Sequence, residues 1–292
     1  MIPGEFDYKA PLTLDEAVSL LAKHSDAKIL SGGQSLIPLM KLRFASPRLI
    51  IDINRIPNLS YIKEEGGFLR IGALVRESDL EKSPLVLSKY PILSDTCAVI
   101  ADPLVRNMAT ICGNVAHGDP ANDHPATMIA VGAEFVARGP KGERVMPAAS
   151  FFTGLFATEL QPDEILVEVR VPVPAPRSGG AYVKLERKVG DFAIAAVAAH
   201  VTLDEKGNCS RAGIALTNAG LTPVQAKKAE QSLKGKKPDD AAISAAARLA
   251  ADEAQPRADF RGPEEYKRDV VRVLTVRALR RAVERASKSG GK

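Results

Sequence analysis

The sequence predicts an α+β protein: a two-part N-terminal region followed by a domain of strands and then helices. Three observations predict it. Short strand-like runs alternate with helical segments up to about residue 171. A stretch with Pro172, Pro174 and Pro176, then Ser178-Gly179-Gly180, interrupts the chain, as linkers do. Beyond it, three strand-like runs come first and three helical segments last, which is α+β order. A chain of 292 residues has room for two or three cores, since domains run to ~100–200 residues. Breaks near 57 and 177 divide it into 1–57, 58–176 and 177–292, with no internal repeat.

Thr13 and Glu16 read as a capping box that opens a helix through Ala17, Leu20 and Leu21. Residues 28–30 form a short apolar strand leading into Ser31-Gly32-Gly33-Gln34-Ser35. A helix over 36–44 and a strand over 48–53 follow, and Pro57-Asn58 marks a break. Gly66-Gly67 lies between two strand-like runs and predicts a hairpin over 61–73. Pro84 starts a helix reaching about residue 100, and Thr110-Ile111-Cys112-Gly113-Asn114 forms a second glycine-bearing turn. Another helix begins near Pro125. A second hairpin folds around Gly139-Pro140-Lys141-Gly142, and 165–171 is a strand. After the linker come strands over 181–188, 193–203 and 210–217. Pro223 opens the first closing helix, and the last runs from Pro263 to about Ala286.

Composition is that of a soluble globular protein, 45% hydrophobic and 26% charged. No apolar run reaches the ~20 residues that span a bilayer. The first eight residues are neither basic nor apolar, so no signal peptide is expected and the cytoplasm is the default location. The net charge of +5 comes largely from Arg272, Arg277, Arg280, Arg281, Arg285, Lys288 and Lys292. Aromatics are 5% with no Trp, unlike a nucleic-acid face with its stacking residues. A solvated or partner-facing helix is expected instead. Cys97, Cys112 and Cys209 contain no CxxC, which argues against a zinc knuckle or disulfide framework. Three thiols also fall short of the four an all-cysteine iron–sulfur cluster takes, so reduced, buried thiols are expected.

The two glycine-bearing turns carry the chemistry. Glycine lets backbone N–H groups converge on an anion, and successive amides form a nest for phosphate. Ser31 and Ser35 add hydroxyl donors. One such turn alone is equally a tight connection. No G-x-G-x-x-G follows a strand, so the Rossmann fingerprint fails. Gly113 to Gly118 has Walker spacing, but Asp119 stands where lysine is required. His117, Asp119, Asp123 and His124 lie within eight residues. Pro120 and Pro125 interrupt the helix that would align them as ligands, so no metal site is expected. Asp123 or His124 reads either as a helix cap or, for Asp123, as a partner of a cofactor hydroxyl. No acid–base or nucleophilic pair stands out, and His24 and His200 read as structural, so no catalytic residue is assigned.

These stretches, with Phe6-Asp7-Tyr8, Ala101-Asp102-Pro103, Gly118-Asp119-Pro120-Ala121-Asn122-Asp123 and Lys184-Leu185-Glu186-Arg187-Lys188-Val189-Gly190-Asp191-Phe192, resemble one family. So do Leu216-Thr217-Asn218 and Arg261-Gly262-Pro263-Glu264-Glu265-Tyr266. It is the FAD-binding medium subunit of the molybdenum hydroxylases, most nearly the aerobic carbon monoxide dehydrogenase branch. The resemblance covers the whole chain. It implies a two-lobed PCMH/VAO-type FAD-binding region, then a domain with a small antiparallel sheet and helices. It implies FAD held by Leu30, Ser31, Gly32, Gly33, Gln34, Ser35, Leu36, Ala101, Thr110, Cys112, Gly113, Asn114, Asp123, Leu166, Lys184 and Phe192. Within that set, both turns take the pyrophosphate, Asp123 the ribose-side hydroxyls of the adenine half, and Phe192 a place beside the isoalloxazine.

Two departures stand out. Gln34 replaces a usual histidine and cannot bond the flavin covalently, so dissociable FAD is expected. Cys112 replaces a usual glycine, and its Cβ would crowd the pyrophosphate if the position needed positive φ. The resemblance further implies a large molybdenum-cofactor subunit and a small subunit with [2Fe–2S] clusters, assembled as a dimer of heterotrimers. Electrons would pass from those clusters through FAD to an external acceptor, with peripheral attachment to the inner membrane as an option. The rival readings are a free-standing FAD-dependent oxidoreductase and a non-redox scaffold whose flavin site has decayed through Cys112.

Overall fold

The computed structural model describes residues 1–289. Strand β1 (Asp7–Lys9), helix α1 (Leu14–Lys23), β2 (Ala27–Leu30), α2 (Leu36–Lys41) and β3 (Leu49–Asp52) come first. The three strands make a parallel sheet in the order β1-β3-β2. Thr13 caps α1, its hydroxyl accepting from the Glu16 N–H at 3.2 Å. The Glu16 carboxylate accepts from the Leu12 N–H instead of completing the box on Thr13. Helix α2 stops short of the expected residue 44 because Arg43 adopts φ +64, the left-handed geometry that ends helices.

Next come β4 (Ile62–Glu65), β5 (Phe68–Gly72), α3 (Glu77–Lys82), α4 (Pro84–Lys89), α5 (Pro91–Ala98), α6 (Pro103–Arg106), α7 (Ile111–His117) and α8 (Asp123–Val131). They are followed by β6 (Glu134–Gly139), β7 (Gly142–Pro147), α9 (Ala148–Phe151), β8 (Phe152–Gly154), β9 (Ala157–Thr158) and β10 (Ile165–Pro172). Five strands form an antiparallel sheet in the order β4-β5-β10-β6-β7. Both expected hairpins are present. The single helix expected after Pro84 is two, because Pro91 has no N–H to continue the first, and α3 precedes them unforeseen. Residues 110–114 are not a free turn. Thr110 caps α7, its hydroxyl accepting from the Gly113 N–H at 3.1 Å, and the rest is the first helical turn. The cap of α8 is Asn122, so neither Asp123 nor His124 takes that role.

The last part contains β11 (Ser178–Glu186), β12 (Ala193–Leu203), β13 (Cys209–Thr217), β14 (Val224–Gln225), α10 (Lys227–Leu233), α11 (Asp240–Glu253) and α12 (Glu264–Lys288). Pro223 leads into β14 rather than a helix. The four strands form an antiparallel sheet in sequence order, and both faces are covered. Alternate residues of a strand face opposite sides. Val197, Val201 and Leu216 join Leu274 and Leu279 of α12 in one core. Ala196, Ala198 and Ala215 join residues of α5 and α8 in the other. Strand β12 therefore reads as a continuous run of small apolar residues, as doubly covered strands do.

The basic face of α12 is not simply solvated. Arg285 forks onto both carboxylate oxygens of Asp95 in α5, at 2.6 and 3.0 Å, and Arg281 joins at 2.9 Å. Lys292 lies outside the described residues. All three cysteines are reduced and buried.

Candidate functional site

Strand β2 delivers the chain into the first turn. Gly33 takes φ +72 there. Gly32 needs its lack of a side chain for a different reason. A Cβ on it would fall 2.8 Å from the Ala109 Cα and run into the Met108 carbonyl. The backbone of the first turn is thus seated directly on the segment that enters α7. The Ser31 and Thr110 hydroxyls share a hydrogen bond at 3.0 Å, and Gly113 lies against both. The N–H groups of Gly32, Gly33, Gln34 and Ser35 donate to no protein acceptor among the described residues. Gln34 folds back, its side-chain amide donating to the Gly32 carbonyl at 3.3 Å. The Ser35 hydroxyl makes no cap bond. Leu30 and Ile37 pack beside Gly33, and Leu36 is half-buried. Asn114 has a buried amide oxygen with no partner among the described residues. Unpaired N–H groups beside the Ser31 and Thr110 hydroxyls, which a Cβ on Gly113 would crowd, suit a pyrophosphate.

A second cluster lies where α8 meets the last sheet. Asp123 is 5% exposed. One of its oxygens accepts from the Tyr182 hydroxyl at 2.7 Å and the other from Lys184 Nζ at 3.1 Å. Tyr182 also meets the Thr217 hydroxyl at 3.1 Å, and Lys184 donates to the Val99 carbonyl at 2.9 Å. Burial pushes the Asp123 carboxyl above its ordinary pKa, with Lys184 and Tyr182 opposing it. Burial, then the nearby Asp123 charge, pushes the Tyr182 phenol well up. A carboxylate offers about four lone-pair positions, so Asp123 retains capacity for a further donor.

The remaining predicted residues divide. Ala101 holds φ +43, and the loop at Gly190 rests on its carbonyl. Phe192, in the same loop, is 48% exposed. Arg261 stands 5.8 Å from the Phe192 ring centroid and donates to Asp191 at 2.7 Å. Leu166 lies on β10 opposite Ala137 and is almost wholly buried. Cys112 is in α7, without positive φ, and its side chain is in the core. Burial raises its thiol pKa. The crowding expected from its Cβ therefore does not arise, and with it goes the basis for a decayed site. His117 and His124 do not converge: His117 tilts against Phe156, whereas His124 is fully buried and meets Glu77 at 2.7 Å.

Sequence reading missed Asn54, Arg76, Glu77, Tyr182 and Thr217. Thr217 carried a signal, as the polar residue ending the apolar run Ile214-Ala215-Leu216, whereas Tyr182 shares its strand face with Lys184 and Glu186. Arg76 and Asn54 carried none, because they meet across 22 residues.

Residues 4–174 match the family model described as the FAD binding domain in molybdopterin dehydrogenase, and residues 180–282 match the CO dehydrogenase flavoprotein C-terminal domain. The chain belongs to this flavoprotein family. FAD is its cofactor, and it is an oxidoreductase subunit. It is 47% identical to the carbon monoxide dehydrogenase medium chain of Hydrogenophaga pseudoflava over 289 residues, 98% of this chain and 100% of that one. It is 38% identical to the 6-hydroxypseudooxynicotine dehydrogenase complex subunit alpha of Paenarthrobacter nicotinovorans, over 98% of this chain and 97% of that one. A solved structure of carbon monoxide dehydrogenase from Hydrogenophaga pseudoflava, described as lacking the Mo-pyranopterin moiety of its cofactor, superposes with a TM-score of 0.95. It is 48% identical over 98% of this chain and 99% of that one. No helix among the described residues of this flavoprotein is long and apolar enough to cross a membrane.

Proposed function

We propose that this flavoprotein is the electron-transfer subunit of a carbon-monoxide-oxidising molybdenum hydroxylase. A large partner would hold the molybdenum cofactor and a small partner the [2Fe–2S] clusters, in a dimer of heterotrimers. The complex would work in the cytoplasm, with peripheral attachment to the inner membrane through its other subunits. The observation that supports the reading is the seating of Gly32 on the Met108–Ala109 backbone, which brings the two distant glycine-bearing segments together.

Bound FAD supplies the redox chemistry. The chain's own residues bind and orient it. The N–H groups of Gly32, Gly33, Gln34 and Ser35, with the Ser31, Ser35 and Thr110 hydroxyls, would hold the pyrophosphate. Leu30, Leu36, Gly113 and Asn114 would shape that cradle. Asp123 would accept from ribose-side hydroxyls, with Lys184 and Tyr182 fixing its orientation. Ala101 and the exposed Phe192 would flank the cofactor, while Leu166 and Cys112 would pack beneath it. Division into 1–57, 58–176 and 177–292 would place FAD between the lobes and the last domain.

Purification of the complex from its native host tests the reading. One FAD per copy of this chain is expected, and acid precipitation should release all of it, since Gln34 provides no covalent link. Carbon monoxide should bleach the flavin absorption in the complex and leave the isolated chain unchanged. Flavin retained on the polypeptide would overturn the dissociable site. Bleaching by an N-heterocycle or aldehyde, but not by carbon monoxide, would overturn the substrate.

A further inference from the structure

We propose that Arg76, acting through Asn54, is a positioning residue that holds the two turns in register as one pyrophosphate site. The inference rests on the reading that those turns bind the pyrophosphate. The Arg76 guanidinium donates to the Met108 carbonyl at 2.6 Å and to the Asn54 amide oxygen at 2.6 Å. Asn54 in turn donates to the Ser31 carbonyl at 2.9 Å and is oriented by Asp52 at 2.6 Å. A continuous chain of hydrogen bonds therefore runs from the backbone of one turn to the backbone of the other. Met108 is the same residue whose carbonyl Gly32 rests against, so the clasp and the close approach act on one point.

The backbone repeats the tie. Arg76 bridges to Thr110, and the Glu77 N–H donates to the Ala109 carbonyl at 2.9 Å. The Glu77 carboxylate, fully buried, meets His124 at 2.7 Å and the Cys97 thiol at 3.4 Å. His124 adjoins Asp123, so residues 76 and 77 fix the second turn against both the first turn and the start of α8. The Glu77–Cys97–His124 group is compact enough to suggest a metal, but among the described residues His124 Nδ1 has no acceptor behind it. Metal-bound imidazoles almost always have one, so the group is better described as a hydrogen-bonded lock.

Arginine suits this place because its planar fork reaches two acceptors in fixed directions, which a lysine ammonium does not reproduce. The test compares FAD and ADP binding to the flavin-depleted complex for the wild type, Arg76→Met, Arg76→Lys and Asn54→Ala. Asn54 is exposed, so its truncation leaves the core intact. Arg76→Met and Asn54→Ala should each weaken FAD and ADP alike, by about tenfold, as a lost charged hydrogen bond does. The double variant should be no worse than the worse single, because both cut one chain. Arg76→Lys should stay as weak as Arg76→Met.

Restored affinity in Arg76→Lys would overturn the fork in favour of simple charge. Additive losses, unchanged affinity in Asn54→Ala, or a loss for FAD without one for ADP would each overturn the inference. A wild-type protein that binds neither nucleotide would instead overturn the reading of the turns.

Discussion

Replacing Gly32 and Gly33 separately by alanine separates two reasons for a glycine. At Gly32 the backbone conformation is one an alanine can take, and the obstacle is space. The new Cβ would sit 2.8 Å from Ala109 Cα and against the Met108 carbonyl. These are backbone atoms held by Arg76 and Glu77, so they cannot swing aside. Overpacking of this kind costs about 1–3 kcal/mol, and relief comes by moving the two turns apart. If that displacement is drawn from the binding energy, FAD affinity falls about 5- to 150-fold, at about 1.4 kcal/mol per tenfold. At Gly33 the conformation is the obstacle, since φ is +72. The Cβ there meets the ends of Ile37 and Leu30 at 2.7 and 3.1 Å, which are flexible side chains. Left-handed backbone costs an alanine about 1–2 kcal/mol, mostly in fold stability. Flavin fluorescence titration of depleted protein, with unfolding midpoints of the same samples, reads both effects. Gly32→Ala should lose far more FAD affinity than Gly33→Ala, whose cost should appear mainly as a lowered unfolding midpoint. Equal affinities for the two, or Gly32→Ala within twofold of wild type, would refute the claim that turn-to-turn contact builds the site.

Two further predictions concern buried charge. Lys184→Met leaves Asp123 buried without its cation, which should cost about 3–5 kcal/mol at neutral pH. Burial already raises the Asp123 pKa, so the deficit should shrink as acid protonates the carboxyl. A deficit independent of pH in denaturant unfolding would contradict the pair's role. His200 is held neutral by burial and by Arg211, its pKa lowered from 6.5 to about 4. The stability tied to its neutral form is present above pH 6.5 and lost as pH falls through about 4. At pH 4.5 the loss should be about 2–3 kcal/mol. His200→Gln should abolish that part of the acid sensitivity, and an unchanged difference between pH 7 and pH 4.5 would count against it.

Legibility in the sequence followed the range of the interactions. The cap at Thr13, both hairpins and strand β12 were readable because neighbours in sequence decide them. The end of α2 was not, because nothing local announces φ +64 at Arg43. The interruption at Pro91 was readable in principle, since a proline inside a helix pattern removes a donor. Asp123 stands out in the sequence, but its protein partners Tyr182 and Lys184 both lie on β11, 59 and 61 residues further on.

By itself, the sequence determined that two glycine-bearing segments with hydroxyl neighbours existed and, through its family likeness, that FAD is the cofactor of the chain. Tertiary structure decided that these segments touch. It also decided that Cys112 turns into the core, that Asp95 receives the arginines of α12, and that Arg76 joins Met108 to Asn54. The physical reason is that local pattern fixes which backbone conformations are cheap. Which carbonyl an arginine reaches, and which Cβ has no room, depends on how separate elements pack.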